Sequence, residues 1–280
     1  MSEVSLEQNF LELSDGQELF YRHYRPARSK GVLIILHGLG EHSGRYDEFA
    51  RYLAQHGWGV YLYDQRGHGK TPGLRSYVDA FQVLVEDLKI FVDFVHSIEE
   101  KKKVFLMGHS FGGQVAINYL AKHPREVKGA ILSSPNIKLV IGVPWIKRFL
   151  GKWVSIVLPS LSVPNDIKPE WISRDKKVVH AYEKDKLVQN KITLRLGHEL
   201  LENLEIVPNL APKIKTPCFV FHGSADKVTS PKASEEFFNK LKVNDKQLKI
   251  YPGFFHEALN ETGKQDVYED VVHWLKERVA

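Results

Sequence analysis

Residues Gly108-His109-Ser110-Phe111-Gly112 are the stretch of this chain best suited to chemistry. An apolar run, Val104-Phe105-Leu106-Met107, precedes them, and an apolar-periodic segment, 113–120, follows. Strand, G-x-S-x-G and helix together predict a sharp turn that holds a serine hydroxyl clear of the backbone at a helix N-terminus. Such a turn strains the serine backbone. Side chains at 108 or 112 would collide there, which accounts for both glycines. The Phe111 amide then faces the oxygen that becomes negative during acyl transfer. A bare G-x-S-x-G is also compatible with a structural turn; the flanking strand and helix favour a nucleophile.

A serine hydroxyl needs a base, and the base needs a carboxylate to orient it. The chain has 13 histidines. In the Ser-acid-His order of this architecture, the acid follows a later strand and the histidine comes after it. Residues 217–221 read as a strand, and Asp226 lies in the loop beyond, His222-Gly223-Ser224-Ala225-Asp226. A helix over 231–241 and a strand over 248–251 follow. His256 ends the next loop, Pro252-Gly253-Phe254-Phe255-His256, whereas His273 falls within a helix. Ser110, Asp226 and His256 thus each stand just past a predicted strand, in the required order. Asp245 and Asp266 are weaker candidates for that role, in a turn and at a helix start. The second oxyanion donor is assigned to the Leu39 amide, in the glycine-rich loop 36–44. That loop lacks the lysine and the spacing of a phosphate site. His37 is read as a brace for it.

The elements that must hold these residues follow from hydrophobic patterning. Apolar runs at 31–36, 58–63, 104–107, 129–132, 217–221 and 248–251 suit strands buried on both faces. Helical patterns fall between them at 45–55, 80–98 and 112–122, and a last one covers 266–278. A hairpin over 9–13 and 18–24 opens the chain around Ser14-Asp15-Gly16. This alternation predicts an α/β fold, a mostly parallel sheet with helices on both faces. The site then lies outside the carboxyl ends of the strands. The alternation breaks between about 136 and 212, with helical patterns at 169–185 and 191–203. Roughly 75 residues is too long for a simple crossover. Residues 1–136 and 213–280 are therefore read as one core domain and 137–212 as an inserted cap. The stretch 141–154 sets Trp145 and Trp153 among branched aliphatics and the cations Lys147, Arg148 and Lys152. Two readings stand: an interfacial segment giving transient peripheral membrane contact, or a cap helix packed on the core.

Composition removes several function classes. A 43% hydrophobic and 26% charged chain is that of a soluble globular protein. No run of about 18 apolar residues suits a membrane span. The acid-bearing first seven residues do not read as a secretory signal. The single cysteine, Cys218, excludes an intramolecular disulfide and suggests a reducing, cytoplasmic setting. The net charge is +5, but Lys101-Lys102-Lys103 reads as a solvated loop, so no nucleic-acid partner is expected. No metal-ligand cluster or dinucleotide fingerprint is present, so neither metal nor cofactor is expected.

At this point the chain resembles the α/β-hydrolase superfamily. More narrowly it resembles the monoacylglycerol lipase and lysophospholipase-like branch, also described as serine aminopeptidase-like. The resemblance runs through nearly all of the chain. It rests on His37-Gly38-Leu39-Gly40-Glu41-His42-Ser43-Gly44-Arg45-Tyr46, Asp64-Gln65-Arg66-Gly67-His68-Gly69, Gly108-His109-Ser110-Phe111-Gly112-Gly113, Gly223-Ser224-Ala225-Asp226 and the loop ending at His256. In the cap, Leu158-Pro159-Ser160-Leu161-Ser162 and Ser173-Arg174-Asp175 also match. The resemblance implies hydrolysis of one fatty ester bond, with the acyl chain in an apolar tunnel beneath the cap. It places Glu41, Arg45 and Tyr182 at the glycerol end of the substrate. Glu41 and Arg45 have a plain alternative, which is to pair with each other at a helix start. Two departures stand out. Leu259 replaces a histidine found in the mammalian pattern three positions after the base, and the reactive cysteines near that site are missing. The expected activity is monoacylglycerol hydrolysis through an acyl-enzyme. Alternatives are a lysophospholipase, a broad carboxylesterase, a small-substrate peptidase and, more remotely, a non-catalytic binding protein.

Overall fold

Side chains alternate across a strand, so a strand with an unbroken apolar run must be covered on both faces. The computed structural model describes residues 4–140 and 153–279. Its strands are β1 (Val4–Glu12), β2 (Glu18–Pro26), β3 (Gly31–Leu36), β4 (Trp58–Tyr63), β5 (Val104–His109), β6 (Ala130–Ser133), β7 (Ser162–Pro164), β8 (Lys191–Thr193), β9 (Cys218–Gly223) and β10 (Lys246–Tyr251). Eight of them form one sheet in the order β1-β2-β4-β3-β5-β6-β9-β10. β1–β2 and β2–β4 are antiparallel, and the other pairs are parallel.

The faces of β3 show how the layers form. Val32, Ile34 and Leu36 join the core beneath α2 (Phe81–Ile98) and α3 (Ser110–Lys122). Leu33 and Ile35 join the opposite core, under α1 (Asp47–Gln55) and the helix Lys264–Val279. The helical spacing of Leu84, Leu88, Phe91 and Val92 in α2, and of Phe49 and Leu53 in α1, puts one apolar face of each helix on the sheet. Each fully buried leucine or phenylalanine contributes about 1.5–3 kcal/mol. The sheet is thus a rigid layer whose strand ends can carry chemistry.

Between β6 and β9 the chain leaves this sheet. There β7 and β8 pair antiparallel, and the helices Lys176–Lys184 and Leu194–Ile206 occur. The helix expected over 191–203 begins only at Leu194, because Lys191–Thr193 pairs with Ser162–Pro164. Thr193 caps the helix by accepting from the Leu196 amide. The helix expected over 169–185 is broken as well, into a 3-10 turn, Pro169–Trp171, and a helix N-capped by Asp175. The carbonyls of Trp171 and Ile172 are spent on His256 and Glu257 amides instead. The segment read as interfacial, 141–154, lies outside the described residues as far as 152, including Trp145, Lys147, Arg148 and Lys152. Trp153 is described and is 59% exposed.

Candidate active site

The nucleophile candidate sits where β5 turns into α3. Ser110 opens the helix with φ 51°, in the left-handed region that side chains other than glycine rarely adopt. The helix expected from 112 therefore starts two residues earlier. A Cβ on Gly108 would lie 2.5 Å from the Gly112 carbonyl oxygen. A Cβ on Gly112 would lie 2.6 Å from the Leu36 carbonyl oxygen, and closer still to that of His37. The missing side chain thus lets the end of β3 press onto the start of α3. In the same loop, a Cβ on Gly38 would lie 3.3 Å from Ser110 Cβ. Phe111 is the second residue of α3, so its N–H has no acceptor four residues back in the helix.

His256 Nε2 lies 2.9 Å from Ser110 Oγ, and its Nδ1 lies 2.7 Å from Asp226 Oδ2. All three residues are buried. Asp226 Oδ1 accepts from the Val228 and Thr229 amides at 2.7 and 3.1 Å. Oδ2 also receives Thr229 Oγ1 at 2.9 Å and meets His222 Nε2 at 2.8 Å. Burial alone would raise the Asp226 pKa, but His256 and His222 hold it far below the usual carboxylate range. Burial alone would lower that of His256, but the Asp226 carboxylate outweighs it and leaves the imidazole above its usual 6.5. This arrangement can take a proton from Ser110 Oγ and keep the resulting cation. His222 and Gly223, expected in a loop, instead finish β9.

Two clamps fix the loop that carries His256. A Cβ on Gly223 would overlap the carbonyl oxygens of Phe254 and Phe255, so only glycine lets that loop lie on the end of β9. The fully buried Glu261 carboxylate accepts from the Phe255, Arg174 and Thr262 amides and from Arg174 Nε at 3.0 Å. Ser173 Oγ donates to the Asn260 carbonyl at 2.9 Å. The Ser173-Arg174-Asp175 segment, between β7 and β8, is thereby joined to the loop of His256.

Glu41, Arg45 and Tyr182 come together beside this loop. Arg45 Nη1 donates to Glu41 Oε2 at 2.7 Å and to Glu257 Oε1 at 2.5 Å, and Nη2 to Glu257 Oε2 at 2.8 Å. The guanidinium lies 4.6 Å from the Tyr182 ring centre. Glu41 Oε1 accepts from the Gly38 amide at 2.5 Å and from Tyr46 Oη at 2.7 Å, which shapes the loop bearing Leu39. Burial opposes the Glu41 charge, but Arg45 keeps its pKa at about 2. His37 braces the same loop: its Nδ1 meets the Gly38 carbonyl, and its Nε2 accepts from the Gln65 amide. Glu257, Glu261 and His222 escape a reading of the sequence. Their only signal there is a polar residue beside a candidate catalytic one or within an apolar run.

Among the described residues, no group of three or more histidines, cysteines and carboxylates could hold a metal. Among them, too, no helix is long and apolar enough to cross a membrane. Comparison with known proteins supplies the lineage. Residues 27–263 match the family described as serine aminopeptidase, S33. The chain is similar to human monoglyceride lipase, at 34% identity over 95% of this chain and 89% of that one. It is also similar to an uncharacterized abhydrolase domain-containing protein of Dictyostelium discoideum, at 36% identity over 95% of this chain, although it spans only 28% of that protein's length. The crystal structure of the Paleococcus ferrophilus monoacylglycerol lipase superposes with a TM-score of 0.84, at 30% identity over 99% of both chains. The chain belongs to the serine aminopeptidase S33 family of α/β-hydrolases, in its monoglyceride lipase-like branch.

Proposed function

We propose that this protein is a serine ester hydrolase that cleaves monoacylglycerols to fatty acid and glycerol. The observation that carries the proposal is the relay from Ser110 Oγ to His256 Nε2 at 2.9 Å and from His256 Nδ1 to Asp226 at 2.7 Å. Its lipid substrate follows from the monoglyceride lipases to which the chain is similar. Ser110 attacks the ester carbonyl as His256 takes its proton. Asp226 holds the imidazole in the required tautomer and stabilises its cation. The amides of Leu39 and Phe111 bind the tetrahedral oxyanion. His256 then protonates the leaving glycerol and activates water against the acyl-enzyme. Residues 137–212 act as the cap over the acyl chain. Glu41, Arg45 and Tyr182 bound the glycerol end. Because the Arg45 donors described above go to Glu257 and Glu41, its part there is to set the wall rather than to grip the glycerol.

The protein works in the cytoplasm and touches lipid surfaces transiently. The support for that contact is the exposed run of Trp153, Ile156, Val157 and Leu158, with Val157 77% exposed. A panel of mono-, di- and triacylglycerols, lysophospholipids and p-nitrophenyl esters tests the substrate. Monoacylglycerols should turn over fastest, since the tunnel expected beneath the cap would take one chain, worth about 0.8 kcal/mol per buried methylene. Equal rates on triacylglycerol, or a preference for lysophospholipid, would overturn the assignment. Vesicle co-sedimentation tests the contact: a Trp153→Ala, Val157→Ser variant should bind less than wild type, and equal binding would remove it.

A further inference from the structure

Asp226 meets two histidines, and the mechanism uses only one. The oxygen that takes His256 Nδ1 at 2.7 Å also takes His222 Nε2 at 2.8 Å. Behind His222, its Nδ1 lies 2.9 Å from Ser234 Oγ, on the helix Pro231–Lys240. His222 and Ser234 are both 0% exposed, so neither meets substrate. An ionised carboxylate only accepts, so His222 Nε2 carries the proton. Nδ1 is then the acceptor, and the Ser234 hydroxyl donates to it. One acid thus heads two Ser–His arms, one facing the nucleophile and one sealed in the core.

We propose that His222 is a positioning residue that tunes the basicity of His256 by sharing Asp226 Oδ2, with Ser234 fixing the tautomer of His222. The inference rests on the reading of Ser110, His256 and Asp226 as the catalytic groups. A carboxylate offers about four lone-pair sites. Here the Val228 and Thr229 amides fill Oδ1, while His256, His222 and Thr229 Oγ1 crowd Oδ2. Each donor on Oδ2 draws charge away from the bond to His256. Without His222, that bond strengthens more to the imidazolium than to the neutral imidazole, and His256 holds its proton more tightly. The other charged or titratable groups acting on His256 are Glu257, Glu41 and His109, whose ring centre is 4.9 Å away. Around His222 itself stand Asp226, Ser234 and Thr229 Oγ1, the last at 3.3 Å. Replacing His222 removes one donor to Asp226 and leaves those other groups in place.

The test is the pH dependence of kcat/KM on a soluble p-nitrophenyl ester, run beside fluorophosphonate labelling and thermal melts. His222→Phe should move the acid limb upward by about half to one pH unit. His222→Gln, whose amide can still donate to Oδ2, should keep the limb near its wild-type position. Ser234→Ala should shift it in the same direction as His222→Phe, but less. A His222→Phe limb that stays put while its melting temperature falls would make His222 a packing residue and overturn the inference. If His222→Phe does not fold, an unmoved limb in Ser234→Ala overturns it instead. A wild type that fails to label refutes the hydrolase reading and this inference with it. A labelled wild type with unmoved variants refutes the inference alone.

Discussion

Ser110 is held at φ 51°, a conformation that costs on the order of 1–3 kcal/mol and that the packed glycines around it maintain. That cost sets the hydroxyl 2.9 Å from His256 Nε2. Ser110→Ala should therefore keep the fold and lose roughly 10³-fold or more of the ester turnover. Near-normal turnover by this variant would refute the proposed nucleophile. As the proposed base, His256 works only when neutral, and its pKa is raised above 6.5 because Asp226 outweighs burial. Activity should thus fall as pH drops through a value above 6.5, and a limb centred well below 6.5 would contradict the geometry. That these three residues would meet was legible because each stands just past a predicted strand, although β10, the edge strand before His256, is buried only at Tyr251. Glu257 was not legible as a partner of Arg45, because 212 positions separate them and local spacing says nothing at that range.

The elements were legible wherever the local apolar pattern alone decided them. The apolar spacing of α2 and the runs of β3 to β6 needed no distant partner to be read. β8 did need one. Lys191–Thr193 looks helical by periodicity, and only its pairing with Ser162–Pro164 makes it a strand. The junction of β3 with α3 yields a prediction at this scale. Gly112→Ala would drive a methyl group into the carbonyls of Leu36 and His37. The loop bearing Leu39 would have to withdraw from Ser110. The variant should lose roughly 10²-fold or more in kcat, the loss seen when one oxyanion donor is removed. Circular dichroism would check that the sheet survives, and unchanged kcat would show that the loop does not depend on this contact.

Over the whole molecule, buried histidines set the response to acid. Burial, above all, lowers His109 to about 4 and His68 to about 3, against about 6.5 when unfolded. Below 6.5 the unfolded chain binds protons that these native groups refuse. Stability is therefore lost as pH falls from 6.5, by roughly 1.4 kcal/mol per pH unit for each such histidine. Glu41, held at about 2 by Arg45 despite burial, extends the loss below 4.5. His256 is raised and works the other way: its contribution is full below 6.5 and disappears as pH rises through its folded value. The melting temperature should fall steeply between pH 6.5 and 4. A flat profile over that range would show that these histidines are protonated in the native state.

The bonds from Trp171, Ile172, Ser173 and Arg174 to the loop of His256 bear on how such a protein can be rebuilt. A designer who exchanges the whole stretch between β6 and β9 for that of a relative also exchanges part of the mounting of His256, the proposed base. Grafts that keep residues 171–175 should retain turnover on small soluble esters whatever acyl preference they acquire. Grafts cut through that seam should lose turnover on every ester, including those too small to need a cap.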